Sequence, residues 1–397
     1  MEFEFWWLLA IPLFFGLGWL AARADARQAR QGADRLPDAY FRGLNFLLAE
    51  QPDRAIDAFV DVVKLDPETI ELHFLLANLF RRRGETDRAI RVHQSLIDRP
   101  GLDAARRARA MYELGRDFLK AGLLDRAEAA FVALEGTPHA ADALRHRLEI
   151  AQLVRDWPQA IELAERLGDA GGPDARRRTA HFHCEMAERA LAESDPAAAV
   201  RAQREIDAAL ALEPEHPRPW LLRGEAAWTQ QHDAVACIGA LERLARAAPS
   251  YLSLAAPTWM AAHEALGRSR EAAERLDALS ERVPSVDLAG AIADAIARRD
   301  GPPAAARWAE ARLRERPSLL GLDQLVGLQL AETGLSLERR AELELIRSLI
   351  HGQAQRLSRF TCNHCGFKAR RFYWQCPGCN RWDTYAPLRS EEMDVPA

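Results

Sequence analysis

The sequence predicts an all-α superhelical solenoid of stacked helical hairpins, with an apolar span before it and a small metal-binding domain after it. Three observations carry this reading. A pattern of small, aromatic and proline residues recurs at a spacing of 34 residues from Leu36 onward. Residues 5–22 hold no charged side chain. Four of the six cysteines crowd into residues 362–379.

Residues 5–22, FWWLLAIPLFFGLGWLAA, reach the lower length limit for a membrane-spanning helix. Trp6, Trp7 and Trp19 lie near the ends, where interfacial tryptophans sit. Glu2 and Glu4 precede the span, and Arg23, Arg27, Arg30 and Arg35 follow it. The positive-inside rule then puts the N-terminus outside and residues 23–397 in the cytoplasm. The competing readings are a cleaved export signal and a buried apolar helix. An export signal wants a basic stretch ahead of a shorter apolar core. It would also carry the cysteine cluster into an oxidising space.

The repeat is clearest in Leu36–Thr69. Gly43 is the small residue, Phe46 the first aromatic, Gln51-Pro52-Asp53 the turn, Ala55 and Phe59 the second face, and Asp66-Pro67 the close. Ala77, Phe80 and Ala89 repeat Gly43, Phe46 and Ala55 at a spacing of 34, and Gly115, Phe118, Ala127 and Phe131 follow after a four-residue insertion. A weaker fourth copy holds Ala160 beside Trp157-Pro158, a weak fifth ends at Glu213-Pro214, a strong sixth holds Trp220 and Gly224, and weaker seventh and eighth copies hold Ala272 with Leu276 and Ala305 with Ala309. Prolines 214, 249, 284 and 317 close the later units. These offsets resemble the tetratricopeptide repeat, a helix–turn–helix unit that buries its apolar face only by stacking on neighbours. The seventh and eighth units also read as irregular helical hairpins. A further helix over 336–356, with Ser336 as N-cap and Leu337, Ala341, Leu345, Ile346 and Leu349 on one face, is expected to cap the array.

Composition narrows the function classes. A net charge of −5 argues against general nucleic-acid affinity. The cations are almost all arginine, which reads as a coding bias. There is no phosphate-binding glycine loop and no HExxH, and His181 and His183 flank Phe182 on different sides of a helix. No catalytic residue and no small-molecule site is expected. Stacked repeats offer a surface for a peptide or partner domain, with Asn45, Asn78 and Arg82 among the candidates to line it. Arg81–Arg83 with His73 read either as a receptor for an acidic partner or as a solvated face. Arg176–Arg178 read the same way. Cys184, Cys237, Trp157, Trp220, Trp228 and Trp259 read as packing residues.

The tail differs in kind. Cys362 and Cys365 form one CxxC, Cys376 and Cys379 a second, and ten residues separate them. Gly366 and Gly378 ease the turns, and Phe372–Trp374, Trp382 and Tyr385 suit short strands. Two facing knuckles give a closed tetrahedral four-sulfur site in a rubredoxin-like or zinc-ribbon domain. Zinc and a single iron both fit. His364 is a weaker substitute ligand. Arg370 and Arg371 either bridge to the solenoid or face solvent. The tail serves as a structural clip, a partner-binding or sensing module, or an electron carrier.

The order of anchor, repeats and four-cysteine tail, with YFRGLNFLLAEQPDRAIDAF, DPETIELHFLLANLFRRRGETDRAI and CNHCGF…YWQCPGC, resembles the lipopolysaccharide assembly protein B family of Gram-negative bacteria. The corresponding division is an anchor at 1–22, a charged linker at 23–35, the array at 36–320, capping helices at 321–358, the metal domain at 359–388 and a tail at 389–397. The resemblance implies a non-enzymatic adaptor on the cytoplasmic side of the inner membrane. It implies as partners a membrane-anchored AAA+ protease, the deacetylase that commits precursor to lipid A as its client, and other lipopolysaccharide synthesis enzymes. It also implies Cys362, Cys365, Cys376 and Cys379 as ligands to iron. A general scaffold for envelope enzymes without a proteolytic role, and a rubredoxin-type electron carrier, remain as alternatives.

Overall fold

The computed structural model describes Trp19 and residues 38–65, 69–172, 174–193 and 195–393. The apolar span at 5–22, the linker at 23–35 and the closing Asp66-Pro67 pair lie outside the described residues, apart from Trp19. Among the described residues no helix is long and apolar enough to cross a membrane. The chain divides into two compact units, Met1–Val154 and Arg155–Ala397.

The first unit holds α1 (Asp38–Leu48), α2 (Pro52–Leu65), α3 (Ile70–Arg83), α4 (Thr86–Ile97), α5 (Ala104–Lys120), α6 (Leu124–Val132) and α7 (Ala140–Val154). Each helix packs on its sequence neighbour, and α3 also meets α5. The small residues act at the helix crossings. A Cβ on Gly43 would lie 2.7 Å from the Phe59 ring, and one on Gly115 would lie 2.7 Å from Phe131. The missing side chain lets each aromatic seat against the opposing backbone, and Phe59 and Phe131 are fully buried.

Arg81 is neither solvated nor offered to a partner. Its guanidinium donates to Asp117 Oδ1 at 2.8 Å and Glu113 Oε2 at 2.6 Å, while His93 Nδ1 meets Asp117 Oδ2 at 2.5 Å. Arg82 is exposed, and Arg83 pairs with Asp53 and Glu85.

The second unit continues with α8 (Trp157–Leu167), α9 (Ala175–Leu191), α10 (Pro196–Leu212), α11 (Pro217–Thr229), α12 (Ala234–Ala247), α13 (Ala256–Ala265), α14 (Ser269–Arg282), α15 (Val286–Asp300), α16 (Pro302–Glu315), α17 (Leu319–Leu330) and α18 (Leu337–Leu357). Asp156, Asp195, Asp233, Ser318 and Ser336 cap their helices by accepting backbone N–H groups. Pro214, Pro249, Pro284 and Pro317 each stand two residues past a helix end, where the missing N–H does no harm. The contacts α9–α11, α13–α15 and α15–α17 place the odd-numbered helices side by side. Gly224 repeats the crossing rule with a leucine, since its Cβ would lie 2.8 Å from Leu241. A 3-10 turn, Pro249–Leu254, breaks the regular pattern before the short α13. Two further expectations change. Leu337, Leu345 and Leu349 are 87%, 61% and 73% exposed, so α18 turns its expected core face to solvent and packs on α17 through its opposite side, with Leu343 and Ala354 buried. The metal domain has its strands at β1 (Phe360–Thr361) and β2 (Lys368–Ala369), paired antiparallel with Phe360 opposite Ala369. The aromatic run 372–374 forms no strand: Trp374 packs outward on Tyr251, Phe372 lies between Tyr251 and Phe360, and Tyr373 stays in the domain against Tyr385. A short α19 (Ser390–Met393) ends the described chain.

Gly115→Ala should destabilise the first unit. Overpacking against Phe131 costs about 1–3 kcal/mol, more than the roughly 1 kcal/mol that alanine gains over glycine in a helix. The urea midpoint should fall, and adding Phe131→Leu should recover part of it. A higher midpoint for Gly115→Ala alone would show that the crossing is loose.

Candidate metal centre and its clasp

The two CxxC knuckles are built alike. In the first, Gly366 N–H donates to Cys362 O at 2.9 Å, and Cys362 N–H donates to Phe367 O at 2.9 Å. In the second, Asn380 N–H donates to Cys376 O at 2.8 Å, and Cys376 N–H donates to Arg381 O at 2.9 Å. The residue after each second cysteine takes the left-handed conformation, Gly366 at φ 75° and Asn380 at φ 56°. Gly378 is therefore not the turn-former of its knuckle. A Cβ there would press on the Phe367 side chain at 3.2 Å.

These turns bring four sulfurs together. Cys362 Sγ lies 3.9 Å from Cys379 Sγ, and Cys365 Sγ lies 3.6 Å from Cys376 Sγ. All four fall within 4.8 Å of one another, and none is in a disulfide. Tetrahedral thiolates at about 2.3 Å from a metal stand about 3.8 Å apart, so the set fits such an ion. The electrostatics agree. Burial raises the Cys362 thiol, but the Thr384 hydroxyl and the amides of Cys365 and His364 outweigh it and bring the pKa down to about 6. Cys379 is pushed up to about 12, first by burial and then by the sulfurs of Cys376, Cys365 and Cys362, against one amide bond from Arg381. Four thiolates cannot ionise together unless a cation offsets their repulsion. The cysteines thus form a tetrahedral-like metal-binding cluster.

The domain does not stand free. Trp382 stacks on His181 of α9 at 4.5 Å, and Trp374 stacks on Tyr251 of the 3-10 turn at 5.3 Å. Asp383 reaches between them. Its Oδ2 accepts from Arg177 Nε at 2.6 Å and lies 3.0 Å from His181 Nε2. Behind this pair sits Arg218 of α11, whose side chain is 2% exposed. It donates to Glu185 at 2.6 Å and to Glu188 at 2.9 Å, and its guanidinium lies 5.7 Å from the Trp374 ring. Farther along, Arg389 makes a two-pronged pair with Asp287 of α15, both contacts 2.9 Å. Ser253 Oγ donates to Pro387 O at 3.2 Å. Glu391 accepts from the first amides of α17, Leu319 and Leu320, completing a cap that Ser318 begins. The tail is strapped across the odd-numbered helices of its own unit.

Sequence reading missed these partners. Arg177 sits in a run read as a charged face, and Asp383 in a tail read for its cysteines. Arg370 and Arg371 are exposed, and the pairing falls to Arg177 and Arg389 instead. His181, His216 and Asp383 lie within metal-ligand distance of one another. A cation there would meet Arg177 on Asp383 and Arg218 on His181, 3.4 Å from its Nδ1, so the trio is better suited to holding the tail than to holding a second ion. His183 turns away to Glu205, as its alternation with His181 predicts.

The clasp should loosen as pH falls. Burial lowers the His181 pKa and outweighs Asp383, which favours the charged ring, with Arg218 and Arg177 adding to the lowering; burial and then His181 take His216 down to about 2. Exposed histidines titrate near ~6.5, so release of the tail takes up protons that the docked form refuses. Docking is complete above about pH 6.5 and loses up to ~1.4 kcal/mol per histidine for each pH unit below it. Asp383, also lowered, adds to the loss further into acid. Tryptophan fluorescence, with metal content followed in parallel, should report undocking between about pH 6.5 and pH 5.5. A flat profile with metal retained would refute the account. Asp383→Asn should cost about 1–3 kcal/mol of docking at pH 7.5.

The chain is similar in sequence to known proteins. A family model described as a rubredoxin metal binding domain covers residues 360–387, and a tetratricopeptide repeat model covers residues 42–104. A solved repeat-containing protein of Cytophaga hutchinsonii is similar at 14% identity and a TM-score of 0.39, over 65% of this chain and 94% of that one. Lipopolysaccharide assembly protein B of Haemophilus influenzae is 28% identical, over 97% of this chain and 98% of that protein. Lipopolysaccharide assembly protein B of Escherichia coli strain K12 is 35% identical over 385 residues, 96% of this chain and 97% of that protein. With identity at that level along almost its whole length, the chain belongs to the lipopolysaccharide assembly protein B family.

Proposed function

We propose that this protein is a non-enzymatic adaptor in lipopolysaccharide assembly. It is held to the inner membrane by residues 5–22 with its bulk on the cytoplasmic side. The observation that carries this reading is the end-to-end match to the family, with repeats and metal domain in the same order. In the finer form of the proposal, the repeats present the lipid A-committing deacetylase to a membrane-anchored AAA+ protease, and gather other synthesis enzymes nearby. Tethering client and protease to one surface raises their effective concentration without any new contact. The tail already lies on the odd-numbered helices of the second unit, so client binding falls to the first unit, where Asn45 and Arg82 are exposed.

Cys362, Cys365, Cys376 and Cys379 are proposed as the four ligands, to iron by family likeness or to zinc. The ion would supply folding energy to a domain whose own core is only Phe360, Cys362, Cys376 and Tyr385 with a few partly buried neighbours. Four sulfurs leave no open position for substrate, which favours a structural centre over catalysis.

Deleting residues 1–22 should leave a folded chain that no longer shortens the deacetylase half-life in cells. Full activity of the untethered form would sink the tethering argument, and an unchanged half-life on depleting the intact protein would favour a general scaffold. Cys362→Ser with Cys365→Ser should abolish stoichiometric metal in the purified protein and expose the tail to protease. Retained metal would refute the ligand set. Metal analysis with the visible spectrum separates iron from zinc.

A further inference from the structure

The side of α18 facing away from its neighbours has a pattern that fits itself. Leu345 and Leu349 stand one turn apart at its centre, with Ala341, Ser348 and Gly352 beside them, all exposed. The same face carries Glu338 toward its N-terminal end and Arg356 toward its C-terminal end. Leu343 and Ala354, the buried anchors of the helix, lie on the opposite side. A solvent-facing stripe with two leucines this exposed is unusual for a surface that stays wet.

The order of residues along the stripe is antisymmetric about position 347. Turning the helix end for end about that point brings Leu345 opposite Leu349, Glu338 opposite Arg356 and Glu342 opposite Gly352. The two leucines then meet and Glu338 meets Arg356, while Ala341 falls opposite Gln353 and Glu342 faces the room left by Gly352. A Cβ on Gly352 would meet nothing within 4 Å, so that position is open to close approach. A parallel pairing does the reverse. It sets Glu338 against Glu338 and Arg356 against Arg356. Self-complementarity under a two-fold turn is the mark of an isologous interface between identical chains. An unrelated partner helix would leave the antisymmetry without a cause.

We propose that α18 is a self-association face, on which a second copy of this chain docks its own α18 antiparallel, centred on Leu345 and Leu349. The apolar contacts hold the pair together, and the two symmetric Glu338–Arg356 pairs set its direction and register.

The test uses the full chain in detergent. Residues 338 and 356 are separated by 18 helical positions, about 27 Å, so they cannot bond within one chain. The double variant Glu338→Cys/Arg356→Cys should form a disulfide-linked dimer on mild oxidation, while each single variant should not link to itself. In sedimentation, Leu345→Asp/Leu349→Asp should shift the unaltered dimer to monomer with its circular dichroism intact. Glu338→Arg or Arg356→Glu alone should weaken association about tenfold, and the two together should restore it. A monomeric unaltered chain, a dimer indifferent to the aspartates, or self-linking by single Glu338→Cys would each overturn the proposal. Linking in membranes only to a different polypeptide would overturn it too, giving the face to a foreign partner.

Discussion

A carboxylate leaves water at a cost of several kcal/mol unless a cation and hydrogen-bond donors take over from solvent. In the second unit that condition decides where the tail lies. Asp383 finds its cation in Arg177 and its donor in the Nε2–H of His181. Arg218 fixes that tautomer, since its guanidinium faces His181 Nδ1 and leaves the ring proton on the side of Asp383. Arg218 is itself balanced by Glu185 and Glu188. Such a network adds little net stability compared with an apolar contact of the same shape. What it supplies is a single allowed position. Sliding the tail by one helical turn would bury Asp383 without Arg177 and leave Arg218 without its aromatic cover.

The helices have given up regularity to receive the tail. After Pro249 the chain runs as a 3-10 turn instead of starting the next helix at once. That turn supplies Tyr251 to Trp374, Ser253 to Pro387 and Leu254 to the small core around Phe360 and Tyr385. It also explains why α13 has only 10 residues and its unit reads faintly as a repeat. The departure from the repeat is the docking site.

The parts legible in the sequence are those governed by local spacing. The crossings Gly43–Phe59 and Gly115–Phe131 follow from a repeat in which a small residue must face an aromatic, and the four sulfurs follow from CxxC geometry. The Ser336 cap is equally local. What stayed hidden depends on contacts between distant residues. Arg177 and Asp383 are 206 positions apart, and Arg389 and Asp287 are 102 apart. No pattern within a window joins them. Arg81 misled for a related reason. Three consecutive arginines look like one solvated patch, yet on a helix they point in three directions, and one of them points inward to Asp117. The apolar face of α18 misled in the opposite sense, because periodicity marks a sticky side without saying what covers it.

The metal and the end of the array are joined by a short physical chain. With the proposed ion on its four sulfurs, a domain this small would owe much of its folding energy to that ion and would open on losing it. Opening it withdraws Arg389 from Asp287 and Glu391 from the amides of Leu319 and Leu320. Those amides open α17, and a helix start that loses its carboxylate cap loses about 0.5–2 kcal/mol. α17 is the helix on which α18 packs, and α18 has little else to rest on, since only Leu343 and Ala354 are buried along its length. Loss of the proposed ion would therefore weaken the last hairpin from its first turn onward. On that proposal a structural clip would also respond to metal. The four cysteines hold the tail, and the tail holds the helix pair that closes the array.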